Sequence, residues 1–229
     1  SWQNESQKIE HNSIKMHWVN RGPEPDGLAQ IRSNLTIRWV RHYQNRIGTK
    51  PADPHWRRFH GDSGGVFFGN CAYCEEISRG ETDHFRPKSR FPELVYEWSN
   101  WVFSCHDCNN SKGEKWPAGG FVDPCARSRL ARPENYFSFD TLTGEVIPKD
   151  GITPARRNKA RRMINDLRLN EVHHLRKRSQ WLGMASRALV GLALDESDYD
   201  SGLVDVLANR NNELSSITRV WLSEQGYTV

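Results

Sequence analysis

Two C-x-x-C pairs, Cys71 with Cys74 and Cys105 with Cys108, constrain what this chain can fold into more than any other feature. A C-x-x-C turn lets two thiolates reach one ion while the intervening backbone N–H groups point at the sulfurs. Two such turns complete the tetrahedral sulfur shell that Zn2+ accepts at ~2.3 Å per bond. Thirty residues lie between the pairs, enough for a compact unit closed by the metal. A filled four-sulfur shell keeps no open position, so the expected zinc is structural. Disulfides are the alternative, and they want an oxidising compartment; a thioredoxin-like redox motif would explain one pair but not two. Residues 1–20 are polar and contain no apolar h-region. No secretory signal is therefore read, and a cytoplasmic location is expected. The sequence starts at Ser1 rather than Met, which is compatible with a removed leader. The fifth cysteine, Cys125, has no partner by spacing and is expected as a small buried residue.

The 229 residues suffice for one domain, or two small ones, with a core of their own. The longest nearly uninterrupted apolar run, 188–194, is far below the ~18–20 residues that cross a bilayer, so no membrane partner is expected. Residues 1–20 read as a polar, poorly ordered leader, and 21–70 as an N-terminal helical arm. Within that arm Leu28, Ile31, Leu35, Trp39, Tyr43 and Ile47 follow helical spacing up to Gly48. Residues 49–70 read as irregular or as a short helix. The span 71–125, dense in Cys, His, Pro, Trp and Gly, reads as a compact core unit with no regular helix before Cys105. Residues 126–229 read as a hairpin over 137–148 followed by helices. Thr153 caps the first of these, and Pro154 sits in its first turn. Its apolar face is Ala160, Met163, Ile164 and Leu167. Helix continues through 171–194, breaks at 195–200 and resumes from Leu203 to Trp221.

Charge is unevenly placed. The net charge is only +4, yet 31–60 holds seven Lys/Arg against one acid and 154–187 holds ten against two. Between them 61–153 holds ten against fourteen, and 188–229 two against seven. Two basic arms around an acidic middle suit a chain that grips a polyanion with its flanks; solvated helix faces are the plain alternative.

The span from Cys71-x-x-Cys74 through Asp83-His84-x-x-Pro87-x-Ser89, Ser99-Asn100 and Cys105-x-x-Cys108-Asn109 to Lys112 resembles the HNH endonuclease family in its zinc-stapled form. More loosely, the same residues are similar to the HNH subgroup of Septu-type anti-phage systems. The resemblance implies an α+β, mainly helical fold whose centre is a ββα-metal unit stapled by the four cysteines, with helices on either side. It implies a metal-dependent endonuclease cutting phosphodiester bonds, with DNA placed ahead of RNA and a defence role. The Septu likeness adds an ATPase partner. A zinc-ribbon module that binds nucleic acid without cutting it is the competing class.

Phosphodiester hydrolysis needs a base for water and a cation for the developing charge. His84 is the candidate base, because imidazole titrates near neutrality, and the resemblance carries that role to it. By the same resemblance Asp83 and Asn109 are ligands of the hydrolytic ion. Two oxygen donors with water positions suit Mg2+ or Mn2+. Asn110 is the one-residue-off competitor of Asn109. Asn100, the middle Asn, would pin the loop between the strands and so orient His84. Adjacent strand residues face opposite ways, so Asp83 and His84 would approach a phosphate from different sides unless the strand bends. Lys88 and Lys112 are candidates for phosphate oxygens, as are Arg156, Arg157, Arg161 and Arg162 for a DNA backbone; solvation is the alternative for each. Trp98, Trp101 and Trp116 are expected as packing beside the zinc, with base stacking as the other use. His55, His60, His106, His173 and His174 are expected to be ordinary polar or packed residues.

Overall fold

The computed structural model of the chain describes residues 18–52, 54–193 and 198–227. Residues 1–17 of the expected leader lie outside the described residues. Those that follow are tied down: Trp18 Nε1 donates to the Ala126 carbonyl at 2.8 Å, and Val19 N to Pro124 O at 2.9 Å. The Arg132 guanidinium lies 3.7 Å from the Trp18 ring centroid.

Helix α1, Leu28–Tyr43, starts after Gly27, whose φ of 81° is a left-handed value that favours glycine. It ends one turn before the expected Gly48. Arg46 turns left-handed at φ 58° and Ile47 N bonds back to Arg41 O at 2.9 Å, which closes the last turn. A short 3-10 turn, His55–Phe59, then runs into helix α2, His60–Val66.

Strand β1, Glu81–His84, pairs antiparallel with β2, Trp101–Ser104, in the register Asp83 opposite Val102 and His84 opposite Trp101. Helix α3, His106–Lys112, follows directly, and its N-cap is Cys105, whose Sγ accepts the Cys108 N–H at 3.4 Å. This gives the expected strand–strand–helix order. Gly80, at φ 44°, lets β1 begin flat against Phe103: a Cβ there would lie 2.3 Å from the ring.

The hairpin is β3, Phe137–Asp140, with β4, Glu145–Pro148. Helix α4, Pro154–Asp166, is capped by Thr153, whose Oγ1 accepts the Arg156 N–H, and it buries Ala160, Met163 and Ile164. Helix α5 is Val172–Ala193. The expected helix over 203–221 is corrected by the structure to two, α6, Asp198–Ala208, and α7, Ser215–Glu224. The break falls at 209–214 because Asn209 Oδ1 accepts the Asn211 N–H at 2.9 Å, a side-chain turn that competes with helix, and because Leu214 is left-handed. Helix α6 already begins at Asp198, inside the expected break at 195–200; 194–197 lie outside the described residues.

Two cores flank the β1–β2 ribbon. One gathers Trp39, Phe59, Val95, Tyr96 and Trp101 under α1. The larger one joins Tyr73, Val102, Phe121, Met163, Leu167 and Ile217, and so ties the knuckles to the hairpin and to α4 and α7. Cys125 is buried in it, and burial pushes its thiol up to about 12. Trp98 and Trp101 are buried packing residues, and Trp116 packs partly buried against the larger core. Among the described residues no helix is long and apolar enough to cross a membrane.

Candidate active site

The four knuckle sulfurs, of Cys71, Cys74, Cys105 and Cys108, all lie within 4.8 Å of one another. Cys74 Sγ is 3.8 Å from Cys105 Sγ, and all four cysteines are free thiols. Tyr73 N donates to Cys71 Sγ at 3.4 Å, as Cys108 N does to Cys105 Sγ. Four converging sulfurs with backbone donors behind them fit a tetrahedral metal ion. Beside them His174, expected as an ordinary residue, is buried and pairs its Nδ1 with the Glu76 carboxylate, and that carboxylate also meets Lys177 Nζ at 3.7 Å.

At the other end of α3 opens a cleft of about 680 Å³. Asp83, His84, Asn109, Asn110, Lys88 and Lys112 all line it. The two adjacent residues of β1 leave the strand on opposite faces, as its pleat requires. Asp83 points to the knuckle side: its Oδ2 accepts from Tyr73 OH at 2.7 Å and its Oδ1 from Lys112 Nζ at 2.9 Å. Burial, and then the Asp83 charge, push the Tyr73 hydroxyl well above its ordinary value, so it stays a donor. His84 points to the α1 side, where the Trp56 ring meets its imidazole edge-on at 4.8 Å. Both side chains nevertheless border the same cleft.

His84 Nε2 lies 2.9 Å from the Val95 carbonyl, which can only accept. Nε2 therefore carries the proton and Nδ1 is the basic nitrogen. Burial first, and then the Lys88 charge, pull the imidazole down to about 3, so it is neutral at pH 7. Asn100, 3% exposed, holds the loop that supplies this carbonyl. Its Oδ1 accepts the Arg86 N–H at 2.8 Å, and its Nδ2 donates to Arg86 O at 3.0 Å and Leu94 O at 3.2 Å.

Asn109 Nδ2 donates to Glu81 Oε2 at 2.7 Å, which leaves Oδ1 for a cation. Asn110 Nδ2 instead faces His106 Nε2 at 2.7 Å. An oxygen-ligated divalent ion fits this donor set: among the described residues Asn109 Oδ1 has no hydrogen-bond partner, and each Asp83 oxygen keeps a second lone pair.

Lys112 departs from expectation. It is 1% exposed and its ammonium is committed to Asp83 and to the His84 carbonyl at 2.8 Å, so it is an internal counter-charge rather than a phosphate contact. Lys88 is half-buried in the cleft wall, 5.3 Å over the Trp56 ring. Arg156, Arg157, Arg161 and Arg162 line no part of the cleft. Arg156 stacks over Tyr136 at 5.5 Å, and Arg162 donates to the Ala118 carbonyl at 3.3 Å.

Sequence reasoning missed Glu81, Trp56, Arg57 and His60, which also line the cleft. Glu81 had a signal: it stands two residues before Asp83, on the same strand face. Its hydrogen bond with His106, ahead of other effects, holds its carboxyl below the usual range. The other three come from the 3-10 turn and α2, and nothing in their spacing ties them to residues 81–112.

Residues 70–115 match the HNH endonuclease family, and this stretch holds the knuckles, both strands and α3. Over 48 residues the chain is 44% identical to Septu protein PtuB of Bacillus thuringiensis. That match covers 19% of this chain and 19% of the relative.

Proposed function

We propose that the chain is a metal-dependent endonuclease that hydrolyses phosphodiester bonds in DNA. The observation that carries this reading is the single cleft collecting Asp83, His84 and Asn109 beside four converging thiols, inside the HNH-matching segment. Cys71, Cys74, Cys105 and Cys108 would hold Zn2+ and so tie the start of α3 to the 71–74 turn, which positions Asn109 relative to β1. His84 takes a proton from water at Nδ1, held in that tautomer by the Val95 carbonyl, with Asn100 as the positioning residue for the loop. A phosphodiester bound beside Lys88 offsets that lysine's charge and raises the basicity of the imidazole. Asp83 and Asn109 would hold Mg2+ or Mn2+, which would supply charge neutralisation at the phosphate and the leaving oxygen. Glu81 accepts from Asn109 Nδ2 and so leaves the amide oxygen available as a ligand. The partial likeness to Septu protein PtuB supports a role in anti-phage defence, and the Septu-type resemblance of the sequence adds an ATPase partner that would gate cleavage.

A non-cleaving nucleic-acid-binding module is the second reading, and the buried Lys112–Asp83 pair, which already compensates the carboxylate, is the observation on its side. The purified chain incubated with Mg2+ or Mn2+ and plasmid DNA, single-stranded DNA or RNA separates them. Cleavage of DNA is expected. Binding without cleavage of any of the three would support the second reading.

A further inference from the structure

Asp83 brings less charge to an ion than its carboxylate suggests. Its Oδ1 accepts from Lys112 Nζ at 2.9 Å, and with the two side chains only 5% and 1% exposed, water does little to screen the pair. The Lys112 ammonium therefore cancels the Asp83 charge where it stands. Asn109 adds a neutral amide oxygen. A divalent cation set against these two residues alone meets no net negative charge, whereas the number of charged ligands is a main control on how tightly a hard cation binds.

Glu81 has the charge that Asp83 has spent. It lines the same cleft, on the same face of β1 as Asp83, and its Oε2 accepts from Asn109 Nδ2 at 2.7 Å, so its carboxylate lies against the amide whose oxygen is free to ligate. Its side chain is 51% exposed against 5% for Asp83, and among the described residues no lysine or arginine pairs with it. On its outer side His106 Nδ1 lies 3.2 Å from Oε1. Asn110 Nδ2 donates to His106 Nε2 at 2.7 Å, so the ring proton sits on Nδ1 and the imidazole donates to the carboxylate. Outer hydrogen bonds of this kind fix the orientation of ligating carboxylates.

We propose that Glu81 is the charged ligand of the hydrolytic ion, meeting it through a carboxylate oxygen beside Asn109 Oδ1, with His106 as the positioning residue that holds the carboxylate from its outer side. The inference rests on the ion site of the nuclease reading and deepens it. It also gives Asn110 a use other than ligation, that of setting the His106 tautomer.

The test uses the full zinc-loaded chain without substrate and reads free Mn2+ by electron paramagnetic resonance as the ion is titrated in. Glu81→Gln keeps the length of the side chain and an acceptor for Asn109 but removes the charge. It should raise the Mn2+ Kd on the order of tenfold or more, with zinc content and circular dichroism as in wild type. His106→Ala should raise the Kd by a smaller factor, and His106→Gln, whose amide can donate in place of the ring, should recover part of that rise. Glu114→Gln removes an equal charge from an exposed residue of the same cleft and should leave the Kd unchanged. Wild-type affinity in Glu81→Gln, or an equal loss in Glu114→Gln, would overturn the assignment, the second because it would trace the effect to the field of the cleft rather than to a ligand. A wild-type chain that takes up no Mn2+ beside its zinc would overturn it too, and wild-type affinity in His106→Ala would remove the positioning role. Cleavage of DNA by the wild type is read separately: a chain that binds Mn2+ through Glu81 without cutting contradicts only the nuclease reading, and one that cuts while Glu81→Gln binds Mn2+ normally contradicts only the ligand assignment.

Discussion

Cys108 and Asn109 are sequence neighbours, yet they serve two regions built on opposite principles. The knuckle end is closed: three of its four cysteines are buried, the sulfurs converge on one point and backbone donors fill the space behind them. The cleft end is open: its carboxylate and amide keep free lone pairs, and half-buried or exposed side chains such as Lys88 and Glu81 border solvent. The same short helix supplies both: Cys105 caps it and Cys108 lies in its first turn, while Asn109, about 100° further round the helix, faces the cleft. A closed set of four thiols suits a structural metal, and an open cleft leaves room for a substrate.

The largest effect expected from breaking this contrast is at the closed end. Cys71→Ser, or removal of zinc by a strong chelator, should unfold the segment 71–112 and expose the larger core, because metal binding and folding are coupled in such sites. Loss of near-UV circular dichroism with loss of one zinc per chain checks it. A folded, zinc-free wild-type sample would remove the distinction between the two ends.

Asp83 belongs to both regions, and its replacement should show that. Asp83→Ala leaves Lys112 buried without its carboxylate, which costs about 3–5 kcal/mol, the usual penalty for orphaning a buried charge. The double change Asp83→Ala with Lys112→Met should recover much of that loss in denaturant unfolding while restoring no activity. Recovery of stability without chemistry would separate the structural pair from the reacting group in one residue.

Acid should act through the cleft end as well. His84 is pulled to about 3 in the folded chain, against ~6.5 unfolded. Between those values the unfolded chain takes up a proton that the folded one refuses. Stability contributed by the neutral imidazole is therefore fully present above pH ~6.5 and declines as pH falls towards 3, by at most ~1.4 kcal/mol per pH unit. Acid also displaces metal from cysteine sites, so the informative quantity is the difference between wild type and His84→Asn: the variant should show a shallower acid limb. Equal slopes would place the imidazole in water rather than against Trp56 and Val95.

A smaller effect is expected far from both ends. Thr153→Ala removes the cap of α4 and should cost ~1 kcal/mol with cleavage unchanged. A change in activity from that substitution would mean that α4 communicates with the cleft.

What the sequence made legible follows from where the information is local. The knuckles, the strand–strand–helix order and the Thr153-Pro154 helix start are encoded by residues close in the chain, and each appears where its pattern lies. Lys112 was misjudged because its burial depends on Asp83, twenty-nine residues away, and a lysine read alone is a surface residue. The break at 209–214 was missed because Leu203 to Trp221 keeps helical spacing across it, while the turn is made by the Asn209 side chain accepting the Asn211 N–H. Trp56, Arg57 and His60 reach the cleft only because the arm folds back over β1, a tertiary fact that no short window contains. The arginines of α4 have the opposite history: dense in sequence, none of the four lines the cleft, and Arg156 and Arg162 turn towards the Tyr136 ring and the Ala118 carbonyl.

Cleavage of DNA by His84→Ala beside wild type, in Mg2+ or Mn2+, with zinc content determined on the same samples, decides whether His84 is the base. A loss of ~10²-fold or more is expected, the scale of a missing general base, with one zinc per chain retained in both proteins. Cleavage by the variant at the wild-type rate, with zinc and fold intact, would contradict it.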